Sequence, residues 1–479
     1  MKKILNKYYA IPLPAKSTIW FLITDILQKV ISFITIPLFT RLLTTEEFGQ
    51  VTIYQSWISI ITIFATLSLW GGVFNNGMLK FEEDRERFLS SLQGLSTTIT
   101  MILLIVSLLF KDIIIKIINI PSYLIILMFF QINFSTPINL WAAKQKYEFT
   151  YKKLVITTLI LILSNPIAGL VFVFISSNRG IARIVSIAAV QIIVGLVLYI
   201  RNIIFGKSFF EKKYWEFALS FNLPLIPHYL SQTILNHSDR IMINNLVGAD
   251  KAGIYSIAYS VGMLFLFIVT SINSAFIPWT YRQLKSKSYN KVGKLSYFIL
   301  ILISAVVFLL ISFAPEIISI MAPPEYQEAI WIVPPIALSI YFIFLYGIFV
   351  NIEFYYEENK FIMFASVIVA ILNILLNIVF IPLFGYMAAG YTTLICYILY
   401  SLSHYVFMNK VLLKYNINDR IYFINKIVLL SVILISSSFL ITLTYEMLLI
   451  RFLIVMIVVT AFFINKKKIK KMLISFRSN

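Results

Sequence analysis

Two apolar stretches of this chain carry side chains that could bind a polar ligand. In the first, Asp25, Gln28, Lys29, Ser32 and Thr35 recur at spacings of three and four, which puts them on one face of a helix. In the second, His228, Ser231, Gln232, Asn236 and Asp239 share a face, with Arg240 beside them. Amides and hydroxyls in such stripes can exchange hydrogen bonds with a polyhydroxylated ligand or with a neighbouring helix. The cations Lys29, Arg41, Arg183 and Arg240 are the candidates to hold an anion, whose burial without a partner would be prohibitive. Asp25 and Lys29 stand one turn apart and can also simply pair with each other. His228 and His237 read either as hydrogen-bonded packing histidines or as proton carriers.

Weaker stripes are Gln131, Ser135 and Asn139, and Ser366, Asn373 and Asn377, where helix packing competes with ligand contact. Arg183 and Glu353 sit near the ends of apolar runs, where a charged group can snorkel to the interface. No histidine has the spacing or partners of a metal site, and Cys396 is the lone cysteine. There is no glycine-rich phosphate loop, no Ser-His-Asp set and no carboxylate pair in a recognisable context. No catalytic residue, metal or cofactor is therefore expected.

The elements that position these residues follow from composition. The 479 residues are 60% hydrophobic and only 13% charged, against about 25% charged in soluble domains. This is the composition of an all-α polytopic membrane protein, with about 14 transmembrane helices of roughly 20 residues each. The runs lie at 17–40, 50–73, 88–110, 122–142, 154–175, 180–200, 217–239, 252–277, 295–314, 327–350, 361–381, 387–408, 425–444 and 447–464. The first lacks a small-residue cleavage site and reads as a retained span. A net charge of +19 fits basic loops on one side of a membrane and does not require nucleic acid. With the N-terminus inside, 31 of the 40 Lys and Arg residues fall on the cytoplasmic side and 9 elsewhere. That split places both termini in the cytoplasm. The basic tail Lys466-Lys467-Lys468-Ile469-Lys470-Lys471 reads as a topology anchor or a contact for anionic lipid.

The chain also repeats itself. At an offset of 204 residues, Leu43-Thr44-Thr45-Glu46-Glu47-Phe48-Gly49 aligns with Val247-Gly248-Ala249-Asp250-Lys251-Ala252-Gly253. At the same offset Thr24, Gln28, Ser32 and Thr35 fall on His228, Gln232, Asn236 and Asp239. Six spans separate the copies, an even number, so the repeat is parallel. The expected organisation is a six-helix lobe at 1–206, a second at 207–412, and two extra C-terminal helices at 413–479. In a parallel repeat the two polar stripes are expected to face one central cavity.

Three segments carry a family resemblance. Pro37-Leu38-Phe39-Thr40-Arg41 through Gly49 looks like the first outer turn of bacterial polysaccharide flippases. Asp239-Arg240-Ile241, followed by Gly253-Ile254-Tyr255-Ser256-Ile257-Ala258, resembles their signature at spans 7 and 8. Ile381-Pro382-Leu383-Phe384-Gly385-Tyr386 is similar to their eleventh-to-twelfth turn. The resemblance covers nearly the whole chain. It implies a Wzx-type flippase of the multidrug/oligosaccharidyl-lipid/polysaccharide exporter superfamily, a transporter and not an enzyme. Such a protein moves undecaprenyl-diphosphate-linked oligosaccharide, for O-antigen, other lipopolysaccharide or capsule, across the bacterial cytoplasmic membrane by alternating access. Its implied partners are that glycolipid, membrane lipids, a polysaccharide polymerase and a chain-length regulator. Two other classes compete: a multidrug or ion antiporter of the same superfamily, typically with 12 spans, and a membrane polysaccharide polymerase. The short outer loops argue against the polymerase.

Overall fold

The computed structural model describes residues 12–417 and 419–464. The basic tail at 466–471 lies outside the described residues. All regular structure among the described residues is helical, which is how an apolar chain satisfies its backbone hydrogen bonds without water. In chain order the helices are α1 (Leu13–Leu42), α2 (Thr45–Thr66), α3 (Gly72–Lys80), α4 (Arg85–Leu109), α5 (Lys111–Ile118), α6 (Ser122–Tyr147), α7 (Tyr151–Ile175), α8 (Arg179–Gly206), α9 (Lys212–Asn222) and α10 (Ile226–Leu246). They continue with α11 (Ala249–Gly262), α12 (Leu266–Lys285), α13 (Tyr289–Ser312), α14 (Ala314–Met321), α15 (Val333–Tyr355), α16 (Asn359–Phe384), α17 (Ala388–Lys414), α18 (Ile424–Thr442) and α19 (Leu448–Ile464).

Among the described residues, nine helices are long and apolar enough to cross a membrane, and ten if α11 and α12, bent by 41° at their junction, form one span. The remaining expected stretches are also helical, as α2, α10, α17 and α19. The first three carry many polar side chains and α19 has 17 residues, so length and apolarity alone do not mark them as spans.

The chain packs as two compact units. One runs through Ser256 and adds Ala370–Tyr386; the other takes Ile257–Val369 and the chain from Met387 onward. This division differs from the repeat boundary expected at residue 206, because α10 packs along α2 within the first unit.

In the first unit, α8 is the central helix, packed by α2, α4, α6 and α7. The two repeat turns meet at one crossing. A Cβ on Gly49 would lie 1.8 Å from the Ala249 carbonyl oxygen, and one on Gly253 would lie 2.3 Å from the Thr45 carbonyl oxygen. These are the same contact with the two copies exchanged. Thr44 and Glu47 form a capping box at the start of α2. Glu47 Oε1 also accepts from the Arg179 and Gly180 amides at the start of α8, at 3.1 and 3.3 Å.

At one end of this unit an apolar cluster of Phe74, Met78, Phe88, Leu92, Leu140 and Tyr214 is roofed by charged side chains. Lys144 pairs with Glu86 and Glu148, Arg87 with Glu211 at 2.9 Å, and Asp84 accepts from Tyr214 Oη at 3.0 Å and Lys213 at 3.3 Å. The Tyr214 hydrogen bond, followed by Lys213, holds the Asp84 carboxyl below the usual carboxylate range.

In the second unit, α15 is buried along nearly its whole length, between α13, α17 and α18. A helix apolar on all sides is expected in that position. One of its backbone carbonyls takes a second, buried partner: Tyr422 Oη donates to the Ile348 carbonyl at 2.7 Å. Tyr445 Oη does the same for Ile311 of α13 at 2.8 Å. Arg451 of α19, almost fully buried, pairs with Glu316 of α14.

Two outcomes test this packing. Gly49→Ala and Gly253→Ala should each destabilise the protein by about 1–3 kcal/mol or more, since the colliding atoms are backbone. A melting temperature unchanged from wild type in detergent would show that the crossing is loose. Asp84→Asn tests the charged roof through its pH dependence. A depressed carboxyl stabilises the fold above its unfolded-state titration and loses that contribution as pH falls through the folded one. The variant should therefore melt below wild type near neutral pH and converge with it in acid. A constant difference across that range would remove Asp84 from the account.

Candidate functional site

A cavity of about 410 Å³ opens in the first unit, walled by α1, α6, α7 and α8. The α1 stripe forms one wall: Thr24, Asp25, Gln28, Ser32 and Thr35 all line it. Ser135, Asn139 and Lys146 come from α6, Thr158 and Asn165 from α7, and Gln191 from α8. The lining thus holds four amides, several hydroxyls, one carboxylate and one ammonium. Pro137 and Pro166 lie within α6 and α7, and a helical proline removes one backbone bond and permits a bend.

The walls are held from behind. Gln191 accepts from the Gln131 amide at 2.8 Å, and Gln131 in turn accepts from Tyr54 Oη at 3.0 Å. Arg183 is buried behind α7. Its guanidinium donates to the Asn165 carbonyl at 3.0 Å and to Asn165 Oδ1 at 2.8 Å. It lies 3.9 Å from the Phe39 ring centroid, a favourable cation–π position. A Cβ on Gly169 would fall 2.3 Å from that guanidinium, so glycine there opens the space. Arg183 therefore orients a wall residue and does not itself line the cavity.

The other expected residues lie elsewhere. Lys29 is exposed on α1 and Arg41, at its end, donates to the Pro37 carbonyl at 2.9 Å; neither is among the lining residues. The α10 stripe does not share this cavity. Asp239 is 1% exposed and accepts from Tyr255 Oη at 2.5 Å and from Asn377 Nδ2 at 2.7 Å. Ser238 donates to Asn373 at 3.2 Å. Arg240 donates to Ser256 Oγ at 3.2 Å and to the Asn236 carbonyl at 2.8 Å. Asn236 donates to the Gln232 carbonyl at 2.8 Å, and His228 is half-buried beside Tyr229. These groups tie α10 to α11 and to the 370–386 stretch.

Lys146, Thr158, Asn165 and Gln191 were missed in the sequence. The Asn165-Pro166 pair and the isolated Gln191 in apolar surroundings were the available signals. Lys146 was hidden in a segment rich in lysine.

Residues 15–284 match the family described as "Polysaccharide biosynthesis protein", more than half of the chain. The chain belongs to this family. Residues 224–379 also match the MatE family. A Haemophilus influenzae protein named "Lsg locus putative protein 1" is 23% identical over 383 residues, 75% of this chain and 89% of that one. An uncharacterized membrane protein of the same organism is 24% identical over 368 residues, covering 73% and 85%. Among solved structures, the lipid II flippase MurJ in an inward closed conformation superposes with a TM-score of 0.70 at 18% identity, over 94% of this chain and 100% of that one. An inward-facing multidrug resistance MATE transporter gives 0.63 at 11% identity, over 82% and 96%. This polytopic membrane protein thus has the fold of flippases and transporters.

Cysteine accessibility separates lining from packing. In a Cys396→Ser background, Ser32→Cys and Ser135→Cys should react with a water-soluble thiol reagent, whereas Ser238→Cys, 6% exposed as serine, should stay unmodified. Labelling of Ser238→Cys at the rate of Ser32→Cys would dissolve the distinction.

Proposed function

We propose that the protein flips a polyprenyl-diphosphate-linked oligosaccharide, of the undecaprenyl type, from the cytoplasmic to the outer leaflet during surface-polysaccharide synthesis. The observation that carries this reading is the character of the cavity. Asn139, Asn165, Gln191 and Gln28, with Ser32, Thr35, Ser135 and Thr158, offer donors and acceptors without apolar dominance. Sugar hydroxyls need both roles at once, and an amide supplies both. Drug-sized ligands usually meet predominantly hydrophobic and aromatic walls. Family membership in polysaccharide biosynthesis and a fold shared with a lipid II flippase point the same way.

In this reading the glycan occupies the α1–α6–α7–α8 cavity and the polyprenyl tail stays in lipid. The diphosphate is held by cations, with Lys146 on the cavity wall and Lys29, exposed on the wall helix α1, as first candidates. In this reading the protein sits in the cytoplasmic membrane with both termini in the cytoplasm, an orientation that the basic-residue asymmetry of the sequence supports. Movement follows alternating access, with a polymerase and a chain-length regulator acting on the exported unit. The second reading, a multidrug or ion antiporter, draws on the MatE match and on the carboxylate Asp25 in the cavity.

Purified protein in liposomes distinguishes them. A fluorescent polyprenyl-diphosphate oligosaccharide should cross between leaflets with its glycan length unchanged. Asn139→Ala and Asn165→Ala should slow crossing roughly tenfold or more, the loss expected when one buried hydrogen bond to a ligand is left unmade. Lys146→Gln should slow it while leaving expression intact. Absence of glycolipid movement together with cation-driven drug efflux would replace this reading with the antiporter.

A further inference from the structure

In the second unit a glutamate and a histidine are sealed together inside the helix bundle. Glu353, near the end of α15, and His404 of α17 are both 0% exposed. The sequence suggested that Glu353 snorkels to an interface; instead its carboxylate faces His404. Nδ1 of the imidazole lies 2.9 and 3.0 Å from the two carboxylate oxygens. That near-equal placement fits an Nδ1–H shared between the two oxygens of an ionised carboxylate. The far nitrogen, Nε2, is buried and has no hydrogen-bond partner among the described residues.

The surroundings isolate the pair. Tyr400 and Tyr346 pack on the imidazole at centroid distances of 4.6 and 6.0 Å, and the Phe361 ring meets it edge-on at 5.6 Å. Among the described residues, the titratable groups brought up by neighbouring elements include phenols: Tyr281 of α12 against Tyr355, and Tyr422 against the Ile348 carbonyl. The charges Glu358 and Lys414 are engaged with each other at the more exposed helix ends. His404 is the titratable side chain in contact with the Glu353 carboxylate. A carboxylate facing an imidazole nitrogen is a pair suited to a proton; among the described residues no group of three His, Cys, Asp or Glu side chains is gathered that could hold a metal.

We propose that Glu353 and His404 form a proton-binding site in the second unit, taking up one proton at His404 Nε2. Without that proton the pair is a carboxylate with a neutral imidazole and carries one net negative charge. One proton from water converts it into imidazolium and carboxylate with no net charge, and its release restores the anion. In a low-dielectric interior the neutral pair is favoured over the anionic one, so proton loss requires hydration of this site. An ionisable pair held inside a membrane bundle is costly and commonly functional. Proton occupancy here is thus tied to the packing of α15 against α17. The inference is independent of what the first unit's cavity binds.

The chain has three histidines, which makes imidazole nitrogen NMR tractable in the full-length protein in nanodiscs. His404→Gln assigns the resonance. After acidification from about pH 8 to 5 the His404 ring should be doubly protonated. Glu353→Gln should lower its proton affinity roughly tenfold or more, a displacement of about one pH unit. A His404 ring that stays singly protonated over that range, in wild type, overturns the proposal. So does a ring whose titration is indifferent to Glu353→Gln. Should Glu353→Gln fail to fold, proton counting decides. Wild type carried from alkaline to acidic pH should take up one proton more than His404→Gln, and equal uptake overturns the proposal.

Discussion

The backbone contact between Gly49 and Gly253 fixes the first unit. No side chain fits between α2 and α11 at that point, because a Cβ on either glycine lands on the other helix's carbonyl. The partners are equivalent positions of the internal repeat, so one small residue, repeated, solves both halves of the crossing. Close approach of this kind is a common way to pack helices in lipid, where burial of apolar surface gives little drive. Neighbouring features depend on it. Glu47, two residues before Gly49, caps its own helix and also collects the amides at the start of α8. Since α8 is packed by α6 and α7, the crossing indirectly sets the helices that wall the cavity.

A second constraint is the cost of polar atoms away from water. Several buried charges have recruited partners on other helices. Arg183 reaches Asn165 and the Phe39 ring; Asp239 reaches Tyr255 and Asn377; Arg451 reaches Glu316. Such networks add little net stability compared with apolar packing, but losing one member leaves the rest unsatisfied. They therefore specify which helix lies beside which. Glu353 and His404 meet the same requirement only in part, since Nε2 remains without a partner among the described residues.

These constraints explain what could be read in the sequence. Nine or ten of the expected spans were legible among the described residues, because apolar runs of sufficient length have few alternatives. The α1 stripe was legible as a polar face, and Asp25, Gln28 and Ser32 do line a cavity. The identical logic applied to α10 led to a different place. A polar helical face announces that something polar lies opposite, and cannot say whether that is a ligand or another helix. For Asp239 the opposite group is Asn377, 138 residues away, and no spacing rule reaches that far. His404 was equally invisible, because its partner lies on a helix 51 residues earlier. The division into units was hidden for the same reason: repeat boundaries follow ancestry of sequence, whereas packing follows the contact between α2 and α10.

The cavity's charge balance bears on how it can select. The chain carries a net +19, yet the cavity wall holds one carboxylate, Asp25, and one ammonium, Lys146. Under the proposed function, attraction of an anion at long range would be a property of the protein's field, whereas recognition inside the cavity would rest on hydrogen bonds. Discrimination by hydrogen bonding is strong when the wrong ligand leaves a buried polar group unpaired. That requires the wall groups to be fixed before the ligand arrives. Arg183 grips both the carbonyl and the side chain of Asn165, and Gln131 grips Gln191. Two of the four amides facing the cavity are thus oriented from behind, so under the proposed function groups buried in helix packing would take part in selection without touching the ligand.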